Sequence, residues 1–143
     1  MHNRLEGTLP PILFQSLTKL SVLAVSNNSL TGVIPSQIGN LASLNYIGMN
    51  NNNFTGQLPT ELGNLSNLQQ IYIGKNQLEG PVPSGLWKLK SLESMGLYSN
   101  KLTGQIPPEI NQLKSIKLLW LEDNSFSGPI PTTIGDLNQL NDL

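Results

Sequence analysis

The sequence contains no cysteine, which excludes a disulfide framework, a thiolate metal site and a cysteine nucleophile. The only histidine is His2, close to the chain end. One histidine without cysteine does not make a zinc site, and its position near the chain end argues against a histidine-based catalytic triad. The carboxylates form no converging pair, and no glycine-rich phosphate loop is present. We therefore expect a chain with no catalytic residues, no metal and no cofactor.

Charge is also scarce. Charged residues make up 12% of the chain and its net charge is −1. Nucleic acids and anionic membranes select strongly basic surfaces, so this segment is predicted to contact neither. Six of the eight basic residues lie between Lys75 and Lys117. We interpret them as solvated lysines rather than as a docking patch.

Long apolar runs are missing as well. No stretch approaches the roughly 20 apolar residues that a membrane-spanning helix needs. The first residues, MHNRLEGTLPPI, contain no apolar signal core. A secreted location would therefore require a leader that lies outside these residues.

What the sequence does contain is a period of 24 residues. Five segments follow the pattern L-x-x-L-x-x-L-x-L-x-x-N-x-L-x-G-x-I-P-x-x-L, with other apolar residues at some leucine positions. They predict full repeats at 17–40, 41–64, 65–88, 89–112 and 113–136, flanked by partial repeats at 1–16 and 137–143. Three columns run through all five repeats without a break: Asn28, Asn52, Asn76, Asn100 and Asn124; Gly32, Gly56, Gly80, Gly104 and Gly128; Pro35, Pro59, Pro83, Pro107 and Pro131.

Each column has a structural reason. The alternation of apolar and polar residues around Leu23 and Val25, and at the equivalent positions, predicts short parallel strands with one buried face. The asparagine side chains are predicted to form a ladder that bonds the main chain of their own and the neighbouring coil. Glycine allows a turn that other residues resist, and proline fixes φ before a short 3₁₀ turn. One coil cannot bury its own core, but a stack of coils can.

The segment Leu30 to Leu41, L-T-G-V-I-P-S-Q-I-G-N-L, resembles the plant-specific class of leucine-rich repeats. Ectodomains of plant receptor-like kinases, receptor-like proteins and polygalacturonase inhibitors share this motif, and the resemblance covers nearly the whole chain. It implies an α/β repeat solenoid: a right-handed superhelix with a concave parallel sheet, a second short strand near each Leu-Thr-Gly, and convex 3₁₀ turns. It also implies an extracellular or cell-surface location and a protein or peptide ligand, with a co-receptor as a further partner.

Two features depart from that family. Its members usually carry cysteine-paired caps, and this chain has none, so we interpret it as an interior piece whose ends would fray or self-associate. Peptide-binding members often use an Arg-x-Arg pair for a ligand carboxylate. The only arginine here is Arg4, so that site is not transferred.

The outward strand positions supply the candidate binding site. Tyr46, Tyr72 and Tyr98 recur at 26-residue intervals, one repeat plus two residues, and should form a diagonal across the concave face. Small residues at Gly48, Gly74 and Gly96 would leave these rings open to a ligand. The predicted ligand-binding set is completed by Trp120 on the next coil, Gln70, and a charged rim of Lys75, Glu122 and Asp123.

Three glycosylation sequons begin at Asn27, Asn53 and Asn64. Asn64 is the best predicted acceptor, since a glycan at Asn27 would crowd the concave face. Trp87 replaces the glycine of its repeat and is predicted to pack on the convex side.

The principal hypothesis is a ligand-binding module of a receptor-like ectodomain. A secreted inhibitor of a cell-wall-degrading enzyme is an alternative, with Glu122 and Asp123 as its acidic contacts. Ice binding is a second alternative, through a column of small polar residues that Glu79 interrupts: Thr31, Thr55, Glu79, Thr103 and Ser127.

Overall fold

The computed structural model describes residues 3–143, so His2 lies outside the described residues. Within these residues there are ten short strands and six short helical turns, and the strands form two parallel five-stranded sheets. The sheet that carries the tyrosines, called the concave sheet, contains β2 (Val22–Ala24), β4 (Tyr46–Gly48), β6 (Gln70–Tyr72), β8 (Ser94–Gly96) and β10 (Leu118–Trp120). The second, called the lateral sheet, contains β1 (Glu6–Gly7), β3 (Ser29–Gly32), β5 (Asn53–Gln57), β7 (Gln77–Pro81) and β9 (Lys101–Thr103).

Helical turns close each coil on the side opposite the concave sheet. Five are 3₁₀ helices: Ser36–Asn40, Thr60–Asn64, Leu86–Lys88, Pro108–Gln112 and Thr132–Asp136. The first turn, α1 (Leu13–Ser16), is α-helical instead. The segment from Gly7 to Leu17, which contains α1, is one residue longer than the equivalent segment from Gly32 to Leu41. The predicted solenoid of parallel strands and short 3₁₀ turns is thus confirmed.

The core is a single apolar column inside the coils. Apolar side chains from every coil meet there, and Ile47, Phe54 and Leu78 are fully buried. Trp87 is 2% exposed, which confirms its predicted packing role. Each coil covers the apolar face of the next, which is why the stack is stable although one coil alone would not be.

The asparagine column bonds as a continuous ladder. Nδ2 of Asn52 donates to the carbonyls of Met49 in its own coil, at 3.1 Å, and Val25 in the preceding coil, at 3.0 Å. Its Oδ1 accepts from the N–H of Leu30 at 3.0 Å. Asn76 repeats all three bonds one coil later. The side-chain amide therefore bonds main-chain N–H and carbonyl groups at the point where the chain passes from one sheet to the other. These groups have no hydrogen-bond partner in a neighbouring strand.

Two backbone positions per coil have positive φ. The glycine column adopts values between 73° and 87°, for instance 75° at Gly80, as its conformational freedom permits. The residue before each ladder asparagine also has positive φ, between 51° and 59°, in five non-glycine residues: Asn27, Asn51, Lys75, Ser99 and Asp123. The sequence pattern did not reveal this second column, because its residue types vary and only asparagine and aspartate favour that region.

Two neighbouring coils come into close backbone contact through a glycine pair on the helical side. A Cβ on Gly63 would lie 2.7 Å from Cα of Gly85, whereas a Cβ on Gly135, in the same repeat column, would meet nothing within 4 Å.

We expect Gly63→Ala to lower the free energy of unfolding by about 2 kcal/mol, because backbone cannot rotate away from the added methyl. Gly135→Ala should change it by no more than about 1 kcal/mol. Urea unfolding followed by circular dichroism measures both, and equal effects would contradict the close-contact explanation.

Candidate binding surface

The outward positions of the concave sheet are set by the strand register. Tyr46 pairs with Gln70, and Tyr72 pairs with Gly96, which in turn pairs with Trp120. Inward residues of the same strands, such as Ile71, belong to the core, so the outward side chains are held on rigid, anchored backbone. This arrangement fixes the aromatic residues relative to one another.

The aromatic rings lie over the glycines. A Cβ on Gly48 would lie 2.8 Å from the Tyr46 ring, and a Cβ on Gly74 would lie 2.5 Å from the Tyr98 ring. Gly96 lies between two rings, because its Cβ would be 2.9 Å from Tyr72 and 3.4 Å from Trp120. Each ring thus occupies the space that a side chain would take at the glycine.

The rings consequently pack against each other as one aromatic cluster of Tyr46, Tyr72, Tyr98 and Trp120. Ring centroids are 6.0 Å apart between Tyr46 and Tyr72, and 6.1 Å apart between Tyr72 and Trp120. Tyr98 packs on Trp120 at 6.4 Å, with its plane turned by 76°. These are favourable distances for tilted and edge-to-face pairs. Trp120 therefore joins the tyrosines that the sequence places on a diagonal.

The small residues between the rings are covered by them. Gly48, Gly74 and Gly96 are buried, and Ser94 is only 5% exposed. Alternation along a strand predicts which side a residue faces but not whether a neighbouring ring covers it. The accessible surface consists of the half-buried rings themselves, with Gln70 half-buried beside Tyr46.

The predicted rim residues are exposed at the edge of this cluster. Glu122 follows Trp120 by two positions and faces the same side of the sheet. Asp123 accepts a hydrogen bond from Oγ of Ser99 at 3.1 Å, and Lys75 lies two coils away in the same column.

Sequence reasoning missed one acidic residue, Asp142. Its Oδ2 accepts a hydrogen bond from Nε1 of Trp120 at 2.9 Å, and its backbone pairs with Leu118 at the edge of the concave sheet. The signal was present, because Asp142 stands 24 residues after Leu118. Because the last repeat is incomplete, the repeat pattern alone does not assign Asp142 to the outward strand position that Leu118 occupies one coil earlier.

The sequon asparagines lie on different surfaces, and all three are exposed. Asn64 ends a 3₁₀ helix and Asn53 begins β5. Asn27 follows β2, and its Oδ1 accepts a hydrogen bond from Nδ2 of Asn51 at 2.8 Å. A glycan on Asn27 would have to form at an amide already engaged with the next coil.

The polar column considered for ice binding is exposed along the lateral sheet, and Glu79 lies at its centre. Two of its hydroxyls are engaged within the protein: Oγ1 of Thr31 donates to the carbonyl of Gly7, and Oγ of Ser127 donates to that of Gly104. This surface does not present a uniform row of free hydroxyls.

A cavity of about 470 Å³ lies beyond β10. Most of its wall consists of apolar side chains, including the inward-facing Leu119 and Leu121 together with Ile130 and Ile134. Trp120, Glu122 and Asp142 also line it, so the cavity extends from the end of the core to the concave surface.

Within residues 3–143, no group of three or more histidine, cysteine, aspartate or glutamate side chains is placed to hold a metal ion. In the same range, no helix has the length and apolar character needed to cross a membrane.

A family model described as a leucine-rich repeat region matches residues 6–143. A search of curated proteins found no match. Among solved structures, the chain is similar to the plant peptide hormone receptor RGFR1 in complex with RGF2, with 38% identity over 97% of this chain and a TM-score of 0.95. It is also similar to the Arabidopsis receptor kinase HAESA, solved with the peptide hormone IDA and the co-receptor SERK1, with 37% identity over 100% of this chain and a TM-score of 0.95.

The structure of a TDR receptor gives 40% identity over 99% of this chain, with a TM-score of 0.95. The chain covers 22% of the RGFR1 chain and 24% of each of the other two. It therefore spans about a quarter of the length of these relatives or slightly less.

Proposed function

Because the chain belongs to the leucine-rich-repeat family, we propose that it is a ligand-binding segment of a plant receptor-like ectodomain that recognises a peptide or protein on its concave sheet. The parent protein would act at the cell surface, with a co-receptor as a second partner. The support is that the chain resembles receptors solved with peptide hormones, one of them together with a co-receptor.

The observation that carries this proposal is the aromatic cluster. Four rings from four successive coils form a connected surface on rigid strands, and no ring is fully buried. Tyrosine and tryptophan dominate the binding energy of many interfaces, because they offer large contact area with few rotatable bonds. A surface that is already packed before binding also loses little conformational entropy when a ligand arrives.

The test is to select peptides from a phage-displayed random library on the 143-residue chain and measure their affinity by calorimetry. For selected peptides, the triple variant Tyr46→Ala, Tyr72→Ala, Tyr98→Ala should weaken binding by about 100-fold or more, as expected for loss of central aromatic contacts. Circular dichroism should show that the variant remains folded.

A matched triple variant on the lateral sheet provides the control: Thr31→Ala, Thr55→Ala, Thr103→Ala. These residues are exposed and lie outside the aromatic cluster, so binding should change by less than about threefold. Peptides that bind both triple variants as tightly as the unchanged chain would overturn the assignment of the concave sheet as the binding surface.

A further inference from the structure

We propose that Trp120, Tyr98 and the carboxylates of Glu122 and Asp142 form a subsite for an arginine side chain of the bound peptide. The inference rests on the proposed function and names the chemistry of one part of its ligand. It follows from the ring geometry and from the position of the carboxylates at that end of the concave sheet.

The rings provide two walls of the subsite. The planes of Tyr98 and Trp120 are nearly perpendicular, at 76°, so together they form a corner. Tyr72 flanks Trp120 on the other side, at 36°. All three side chains are half-buried and keep part of their surface accessible. The face of an aromatic ring carries partial negative charge and attracts a cation, and a planar guanidinium can also stack on it.

The carboxylates provide the charge. Asp142 is held beside the indole by its 2.9 Å bond from Nε1 of Trp120, and that bond uses only one of its two oxygens. Glu122 is exposed on the same side of the sheet. Glu122 and Asp142 are the only charged residues among the described outward positions of the concave sheet, and both are negative. A guanidinium that contacts a ring would thus also meet a partner with which it can form charge-assisted hydrogen bonds.

Three of the chain's lysines are paired or lie in other elements. Lys117, the nearest along the chain, pairs with Glu93 at 2.7 Å. Lys88 lies in a 3₁₀ helix and Lys101 lies in β9 of the lateral sheet. Lys75 is the exception, because it is exposed and its backbone N–H donates to the carbonyl of Tyr98 at 2.9 Å. The aromatic corner therefore has both carboxylates at its Trp120 side and one lysine beside Tyr98.

The first experiment titrates the ¹⁵N-labelled chain with Nα-acetyl-arginine N-methylamide and, separately, with its neutral citrulline analogue. The indole N–H signal of Trp120 should shift and saturate with arginine, while citrulline should bind about tenfold more weakly because it lacks the charge. The indole signal of Trp87, which is 2% exposed, is an internal control and should not move. Equal binding of citrulline, or equal shifts of both indoles, would overturn the subsite.

The second experiment removes the charges without changing side-chain shape. The double variant Glu122→Gln, Asp142→Asn should weaken arginine binding about fivefold at low salt. The matched double variant Glu109→Gln, Asp136→Asn alters exposed carboxylates of the 3₁₀ helices and should have no effect. In Trp120→Leu the indole reporter is absent, so arginine binding is followed by the backbone amide signals of Glu122 and Asp142, and it should be about fivefold weaker through loss of the ring face. Unchanged affinity in Trp120→Leu would show that the ring takes no part and would refute the proposal.

Failure of this inference can be told apart from failure of the proposed function. Suppose that the selected peptides require the tyrosines, but that peptides with arginine bind no more tightly than those without it and the arginine derivative binds no more tightly than the citrulline derivative. In that case only the subsite is wrong. If selected peptides bind away from the concave sheet, the proposed function is wrong, and the arginine subsite as part of a peptide site is wrong with it.

Discussion

Replacing Asn52 with alanine is expected to lower the free energy of unfolding by about 3 kcal/mol. Its side chain is 8% exposed and makes hydrogen bonds that join two coils. Alanine would leave the N–H of Leu30 without an acceptor, and the carbonyls of Val25 and Met49 without the amide donor. Leaving a buried polar group without a hydrogen-bond partner lowers the free energy of unfolding by more than an average hydrogen bond contributes to it, because water cannot reach the group to replace the partner.

The chain offers a matched control one position away. Residues 50–53 are four consecutive asparagines, and only Asn52 belongs to the ladder. Asn53 is exposed in β5, so Asn53→Ala should change stability by less than about 1 kcal/mol. Urea unfolding of both variants, followed by far-ultraviolet circular dichroism, measures the difference. Similar losses in the two variants would show that the ladder bonds contribute little net stability.

Trp87→Ala is expected to destabilise the chain by about 3–5 kcal/mol, the range found when a large buried aromatic side chain is removed. Trp87 is 2% exposed and belongs to the main apolar core. It lies in the turn Leu86–Lys88, between two full-length 3₁₀ helices. Its removal would leave a cavity there and weaken the contact between neighbouring coils.

Trp120 provides the comparison, because Trp87 is expected to contribute mainly to stability and Trp120 mainly to peptide binding. Trp120 is half-buried on the concave sheet, and Trp120→Ala should cost less stability, about 1 kcal/mol, while reducing peptide binding. Thermal unfolding and peptide affinity measured on both variants separate the two roles. A Trp87 variant as stable as the unchanged chain, or a Trp120 variant with unchanged peptide affinity, would reverse the assignment.

The sequence by itself determined the architecture. A strict 24-residue period with asparagine, glycine and proline columns predicts the solenoid, because each column meets a local requirement that recurs in every coil. A ladder asparagine such as Asn76 needs only its own coil and the preceding one to find its partners. Strand alternation likewise placed Tyr46, Tyr72, Tyr98 and Trp120 on one side of the concave sheet.

Only the tertiary structure decided how those outward side chains share space. The Tyr46 ring covers Gly48 of its own strand, and rings from neighbouring coils cover Gly74 and Gly96, so positions that alternation alone leaves open are covered. Trp120 meets Tyr72 from two coils away, since Gly96 between them has no side chain. The close approach of Gly63 to Gly85 also depends on how two coils settle against each other. A repeat pattern specifies which face a residue occupies. Rotamers and contacts between coils depend instead on the side-chain volumes of the neighbouring coils, which the pattern of one repeat does not include.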